Sequence, residues 1–374
     1  MMVYKRVQGP VMELQNIHSP AITPVILISI LVMIVYSNSF DNSWHLDDYV
    51  RIPANTNIQM NELSFKSIAD SIFLDSVDAS GRIHHQVYRP LVNLSFALNW
   101  FFHKDNVRGY HAVSIFIHIL TTVALYFSIL YLFKTPALEH VSQDTAFFSA
   151  FFTAVLWAVH PINTQAVNYL VQRMALMSAL FYLSGIMFYL KAKHSGTTTK
   201  KKRLYALAVV SFFLAIGSKE NAVTFPLAIF LLEIIFFKRS LSLGNRRLWI
   251  RFSICMIVIS AVAAAVLYTW GFSLPTMQTL YEKRSFTMLE RALTQPRILL
   301  FYLSLIFYPV ASRFSIEHDY VLSTSLFNPI SPVSAIIAIA AIISAAMIVR
   351  KRAPLVSLGI LFFFLAQMVE SSIL

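Results

Sequence analysis

Two adjacent carboxylates, Asp47 and Asp48, stand in the stretch WHLDDYVRI. A carboxylate near a membrane surface can act as general base for an incoming hydroxyl, and a pair can hold a divalent cation. A solvated, helix-capping pair is the alternative that spacing alone leaves open. Basic groups recur further along. Arg89-Pro90 opens an apolar segment, His160-Pro161 closes another, and Arg173 and Lys219-Glu220 stand at the ends of neighbouring runs. Charge at membrane depth is costly, so such groups turn toward a cavity or a partner, and the phosphate of a lipid would supply the partner. For any one of them, interfacial snorkelling is the plainer reading, and Arg89 equally suits a lipid-headgroup anchor. His111 and His118 lie seven apart, on one face of a helix, where a hydrogen-bonded helix contact is favoured over metal ligation. Glu233 is expected to pair with Lys238 or Arg239. GxGxxG, Walker, GxSxG and HExxH patterns are all missing from the sequence, which weakens nucleotide-driven transport and the common hydrolases. The single cysteine, Cys255, sits in an apolar run and offers no disulfide framework, redox pair or zinc site.

These residues need elements to position them, and the composition says of what kind. With 57% hydrophobic and 13% charged residues and a mean hydropathy of +0.64, the chain has too little polar surface for a water-soluble globule. About 30 Å of hydrocarbon, crossed at about 1.5 Å per residue, calls for long apolar helices. Up to ten apolar runs are candidates: Ile22 to Tyr36, Tyr110 to Phe133, Ala146 to Val159, Val167 to Leu190, Leu204 to Ile216, Ala222 to Phe237, Phe252 to Phe272, Ile298 to Val310, Val333 to Val349 and Leu355 to Met368. The alternating ten-residue strands of a membrane β-barrel do not occur. The fold expected is therefore an all-α polytopic membrane protein.

The net charge of +12 sits in clusters beside these runs, at Lys5-Arg6, Lys191 to Arg203, Lys238 to Arg251 and Arg350 to Arg352. The positive-inside rule reads them as cytoplasmic anchors, which removes the case for a nucleic-acid partner. Small-x-small cleavage residues do not follow the first run, so it is read as an anchor rather than a signal peptide. With the clusters inside, residues 40–106 lie outside as the one large loop, with eight acidic residues against five basic. Within it, Leu63 to Phe73 and Leu91 to Phe102 carry apolar residues at helical spacing and are expected as interfacial or packing helices. His160 to Asn168 and Ser218 to Asn221 also fall outside. Parity then fails once, and the short eighth run, Ile298 to Val310, is read as re-entrant, leaving nine crossings and an outside C-terminus. Short runs with polar ends suit a cavity opening to the outer leaflet. A single membrane domain over 1–374 is expected, without internal repeats.

Three ordered strings carry a family resemblance: YRPLVNLSFALNWFFHKDNVRGYHAVSIFIH, AVLWAVHPINTQAVNYLVQRMALMSALFYLSG and GSKENAVTFPLAIFLLE, preceded by the DD loop. Together they resemble the membrane half of the transmembrane-and-TPR-repeat-containing protein O-mannosyltransferases and their bacterial relatives. The resemblance covers about residues 40–233, and TQPRILLFYLSLIFYP more loosely. It implies a GT-C glycosyltransferase fold that moves a mannose-like sugar from a polyprenyl- or dolichyl-phosphate donor to a hydroxyl acceptor, on protein or glycan, at the non-cytoplasmic face. Asp47 and Asp48 are then the catalytic positions, with a divalent cation held there if one is used. Arg89, His160, Arg173 and Lys219 become donor-phosphate ligands, with Glu220, His111 and His118 in support. Gln172 and Met174 replace the glycine and acid that often flank the arginine, and Gln165 stands where an acid is usual. Relatives continue into TPR repeats, which are expected to be absent from this sequence ending at Leu374. The expected location is the bacterial cytoplasmic membrane, with the endoplasmic reticulum membrane as the alternative. A lipid-linked-glycan flippase and an inactive or truncated scaffold are the competing readings, and inverted repeats with midplane charges, the marks of a transporter, are not found.

Overall fold

The structure is a computed structural model that describes residues 22–73, 76–77, 83–84, 89–237, 284–315, 318–327 and 330–372, with isolated positions between 250 and 282. The basic clusters at Lys5-Arg6 and Lys238 to Arg251, the run Phe252 to Phe272 and Cys255 lie outside the described residues. Among those described, the chain is helical apart from one short antiparallel pair, β1 (Ser76–Val77) with β2 (Ile83–His84).

The apolar runs fold as α1 (Ile22–Val35), α5 (Val107–Phe133), α6 (Gln143–Ala158), α8 (Arg173–Lys193), α9 (Thr198–Ile216), α10 (Phe225–Leu232), α11 (Met288–Phe307), α12 (Ser331–Val349) and α13 (Pro354–Gln367). The segment between α1 and α5 supplies the short α2 (Asp48–Arg51), then α3 (Phe65–Phe73) and α4 (Pro90–His103), the last two close to where helical spacing predicts them. A five-residue α7 (Thr164–Asn168) follows α6. Starts and stops have local causes. Asn106 and Ser142 cap α5 and α6 by accepting from Arg108 N–H and Thr145 N–H, each at 3.2 Å. Proline stands in the first turn of α4, α10, α12 and α13, where its missing N–H costs nothing. Pro161 breaks the third run, so α6 and the segment Pro161–Asn168 meet at a bend of 49°.

Among the described residues, four helices are long and apolar enough to cross a membrane: Val107–Phe133, Leu170–Lys193, Glu220–Phe237 and Ser331–Val349, or five if the bent pair counts as one span. Of the nine crossings expected from the sequence, the run Phe252 to Phe272 lies outside the described residues and three others fall short. At 14 residues each, α1 and α13 reach only about 21 Å at 1.5 Å per residue, and the first turns of α9 carry Lys200 to Arg203. α5, α6, α8 and α9 form the centre, with α5 and α8 starting from the same end, where Arg173 meets Tyr110 and Ser114. Their core includes Tyr126, Ile115, Leu176, Leu190, Phe212 and Phe225. Tight approaches depend on small residues: a Cβ added at Gly109 would come within 2.3 Å of the His103 ring, at the turn from α4 to α5.

One end of this bundle collects the polar groups. Ser39 Oγ bonds Asn168 Oδ1, Leu91 N–H donates to Gly217 O at 3.2 Å, and Tyr36 O–H donates to Ala158 O. The segment between α1 and α5, the α6–α8 connection and the α9–α10 connection therefore meet at one end. At the other, Lys193 and Tyr189 bond Glu233. Both are described residues, whereas the expected Lys238 and Arg239 lie outside them.

The eighth run is longer than its apolar part suggests. Thr287 and Glu290 form a capping box that starts α11 ten residues upstream of Ile298. Near its start, Arg291 donates to Glu370 O at 3.4 Å, just past α13, and near its finish Ile306 O meets His160 Nε2 at 3.1 Å. Both partners belong to the polar end. A 20-residue helix is about 30 Å long, so α11 lies across that end instead of running to the opposite one.

Candidate functional site

Asp47 and Asp48 are neighbours with different surroundings. Asp48 is fully buried at the start of α2. Its two carboxylate oxygens accept Val171 N–H at 2.8 Å and His45 N–H at 3.1 Å, fastening the start of α2 to the entrance of α8. Burial raises its pKa above the ordinary carboxylate value, against the pull of those backbone hydrogen bonds. Asp47 points the other way, with 64% of its side chain exposed. It faces Arg51, one turn on, at 3.9 Å. The two aspartates differ in setting, Asp48 buried against the backbone and Asp47 open to solvent, so their carboxylates do not form a shared cation cage in this arrangement. Among the described residues no group of three or more His, Cys, Asp or Glu converges for a metal.

Around Asp47 the charges are closely spaced. Arg51 has its pKa lowered by burial first; Asp47 opposes this and the neighbouring charge of Arg89 adds to it. The Tyr169 phenol beside them is raised, mainly by burial and then by the charge of Asp47. Arg89, at the entrance of α4, makes a forked ion pair with Glu220, at 3.0 Å from Nη2 and 3.3 Å from Nε, and touches the Met174 sulfur. The bond from Leu91 to Gly217 explains the pairing, since it draws the start of α4 against the loop that carries Lys219 and Glu220. Lys219 pairs in turn with Glu370, which also receives Asn221 Nδ2 at 3.4 Å.

The remaining expected ligands are placed elsewhere. Arg173 is completely buried and does not reach this rim. Its guanidinium donates to Asn99 Oδ1 at 2.6 Å, Tyr110 O at 2.8 Å and Ser114 Oγ at 3.3 Å, and lies 4.5 Å over the Phe96 ring. Those acceptors are neutral, so the arginine knits α4, α5 and α8 together and the phosphate role expected of it has no opening here. His160 is also occupied. Its Nδ1 accepts Ile162 N–H, which leaves the proton on Nε2 to donate to Ile306 O. His118 bonds Ala158 O at 2.9 Å and packs edge-on to Tyr36, the helix contact its spacing favours. His111 is fully buried on the same helix.

Sequence reading passed over Arg51, Asn99, Arg291 and Glu370. Arg51 carried a signal in its i,i+4 spacing from Asp47. Asn99, a lone amide inside FALNWFF, and Glu370, the one carboxylate in FFFLAQMVESS, were legible as polar residues in apolar context, but their partners were not.

Comparison with known proteins adds to this geometry. The chain matches no family model, and no solved structure matches it. It is 27% identical over 206 residues to the protein O-mannosyl-transferase F38B6.6 of Caenorhabditis elegans, covering 55% of this chain and 27% of that protein. It is 36% identical over 113 residues to human protein O-mannosyl-transferase TMTC1, covering 30% of this chain and 12% of the relative. Human TMTC4 is 27% identical over 212 residues, 53% of this chain and 27% of its own length. The chain thus spans about a quarter or less of the curated relatives it matches. With its predominantly helical membrane fold and the charged rim built from the DD, RP and SKE strings, it is similar over part of its length to the TMTC protein O-mannosyl-transferases.

Proposed function

We propose that the chain is the membrane part of a GT-C-type glycosyltransferase that moves a mannose-like sugar from a polyprenyl- or dolichyl-phosphate to a serine or threonine hydroxyl on the non-cytoplasmic face. One observation carries the reading: Asp47, the exposed member of the DD pair, stands beside Arg51 and close to the Arg89–Glu220 pair, in a chain related to named O-mannosyl-transferases.

The division of labour follows from the two aspartates. Asp48 is a positioning residue that fixes the loop to α8. Asp47 keeps a solvated carboxylate and takes the acceptor's proton as the hydroxyl oxygen bonds to the anomeric carbon. The bond from that carbon to the phosphate oxygen breaks, and its electron pair leaves with the polyprenyl phosphate. Arg89 and Lys219 are the basic residues placed to meet the growing phosphate charge. Lipids of the surrounding bilayer hold the prenyl tail.

Asp47→Asn keeps shape and removes basicity. With the purified chain in nanodiscs, polyprenyl-phosphate mannose and a Ser/Thr peptide, it should lower transfer by about 10² to 10⁴ while donor binding stays at the parental level. Undiminished transfer by the variant would end the assignment of Asp47; absence of transfer by the parent would end the proposed reaction.

A further inference from the structure

The strongest unassigned feature is the cluster around Glu370. Three donors from two separate elements converge there. Lys219 Nζ and Asn221 Nδ2, from the loop after α9, reach its Oε1, and Arg291 Nη2, from α11, reaches its backbone oxygen. The Asn221 amide is oriented for this by Ser178 Oγ, which lies 3.4 Å from Asn221 Oδ1. The Arg291 Nε is buried and makes no hydrogen bond among the described residues. An orphaned guanidinium N–H is expensive in a folded protein, and beside a second cation it asks for an acceptor. Lys219 is paired with the carboxylate, whereas Arg291 meets a neutral backbone oxygen, so among the described residues its charge has no carboxylate partner. The carboxylate is the loosest member: its side chain is 41% exposed, against 14% for Lys219.

We propose that Lys219, Arg291 and Asn221 form one anion seat for the phosphate of a lipid-linked donor, and that the Glu370 carboxylate holds the seat until that phosphate displaces it. This rests on the donor class proposed above and adds three residues to it. A phosphate diester carries the single negative charge of a carboxylate but offers more acceptor oxygens, enough to satisfy Arg291 Nε as well as Lys219 and Asn221. Glu370 follows α13 directly and Arg291 lies in the helix that crosses the polar end. Displacement therefore frees the start of α11 and the end of α13 together. Glu370 becomes an affinity-setting residue, because the donor binds only the fraction of molecules in which the seat is open.

Binding of polyprenyl monophosphate to the full chain in phosphatidylcholine nanodiscs tests this. Glu370→Gln should bind about three- to tenfold tighter than the parent, as expected when a partly exposed competing ion pair is removed. Lys219→Met and Arg291→Gln should each bind at least about tenfold weaker. Glu370→Gln combined with Lys219→Met should bind no better than Lys219→Met, since without the ammonium there is nothing to unmask. Excess phosphatidic acid or inorganic phosphate should compete poorly; competition by either as strong as by polyprenyl phosphate would overturn the donor as occupant. If the parent binds and all three single variants match it, the seat is wrong while the proposed reaction stands. If neither parent nor variants bind polyprenyl phosphate, the donor class falls and the seat with it.

Discussion

Arg173 and Lys219 stand at the same end of the bundle and carry the same charge, yet their surroundings differ in kind. The interior cluster around Arg173 is neutral, buried and complete: an amide, a backbone carbonyl, a hydroxyl and two aromatic faces take up the guanidinium. The rim around Asp47, Arg89 and Lys219 is made of ion pairs, each partly open to solvent. A cation solvated by neutral groups can be exchanged for nothing without leaving orphaned acceptors. A cation held by one carboxylate can trade it for another anion. The comparison assigns stability to the interior cluster and ligand exchange to the rim.

The largest effect that could break this contrast is expected at Arg173. Arg173→Met keeps the length and removes the donors, stranding Asn99 Oδ1 and Tyr110 O inside the protein. Loss of such a network should cost about 2 to 5 kcal/mol of stability. Thermal unfolding in detergent should show it directly, and the fraction that remains folded should bind polyprenyl phosphate as the parent does. Parental stability with weakened binding would reverse the contrast and return Arg173 to the donor site.

How much of this was legible before the fold depends on the range of the interaction. The membrane class, the positions of α3 and α4, the polar end and the role of His118 rest on composition and local spacing, and these survive folding. Which charges share a site does not. Asp47 and Asp48 are adjacent in the chain but separated by the fold, because only Asp48 meets Val171, 123 residues away. Arg173 has the same residue type and depth as a phosphate ligand would. Only the arrival of α4, with Asn99, shows that its hydrogen bonds are already used. Glu370 and Lys219 lie at opposite ends of a long stretch of sequence, and spacing carries no trace of their meeting.

A middle-sized effect should come from Asp48, the buried acid that belongs to the interior side of the contrast. Its folded pKa is raised above the ordinary value by burial. A raised value means that the folded state holds the proton more tightly than the unfolded state. The stability contributed by this group is therefore present in acid and lost as pH climbs from the ordinary carboxylate range through the raised value. Asp48→Asn has no proton to lose and should flatten that part of a stability-versus-pH profile. At neutral pH the asparagine keeps one acceptor for Val171 or His45 but not both, a loss of about 1 kcal/mol. An unchanged profile would show that the carboxylate is more solvated than its burial implies.

The smallest effect tests the rim itself, through the pair of Arg89 with Glu220. Both side chains retain some exposure, 15% and 23%, so solvent screens their attraction and the pair should contribute only about 1 kcal/mol to folding. A double-mutant cycle with Arg89→Gln and Glu220→Gln, read by thermal unfolding, isolates that coupling from everything else each side chain touches. Arg89→Lys sharpens it further, since lysine keeps the charge but loses the fork that reaches both carboxylate oxygens. If the rim works by exchange, Arg89→Lys should leave stability almost unchanged and still weaken the binding of polyprenyl phosphate, because the planar fork is also what a phosphate would engage. A coupling as large as the loss expected from Arg173→Met would place Arg89 with the interior cluster. Only the Asp47–Arg51 and Lys219–Glu370 pairs would then remain on the exchangeable side.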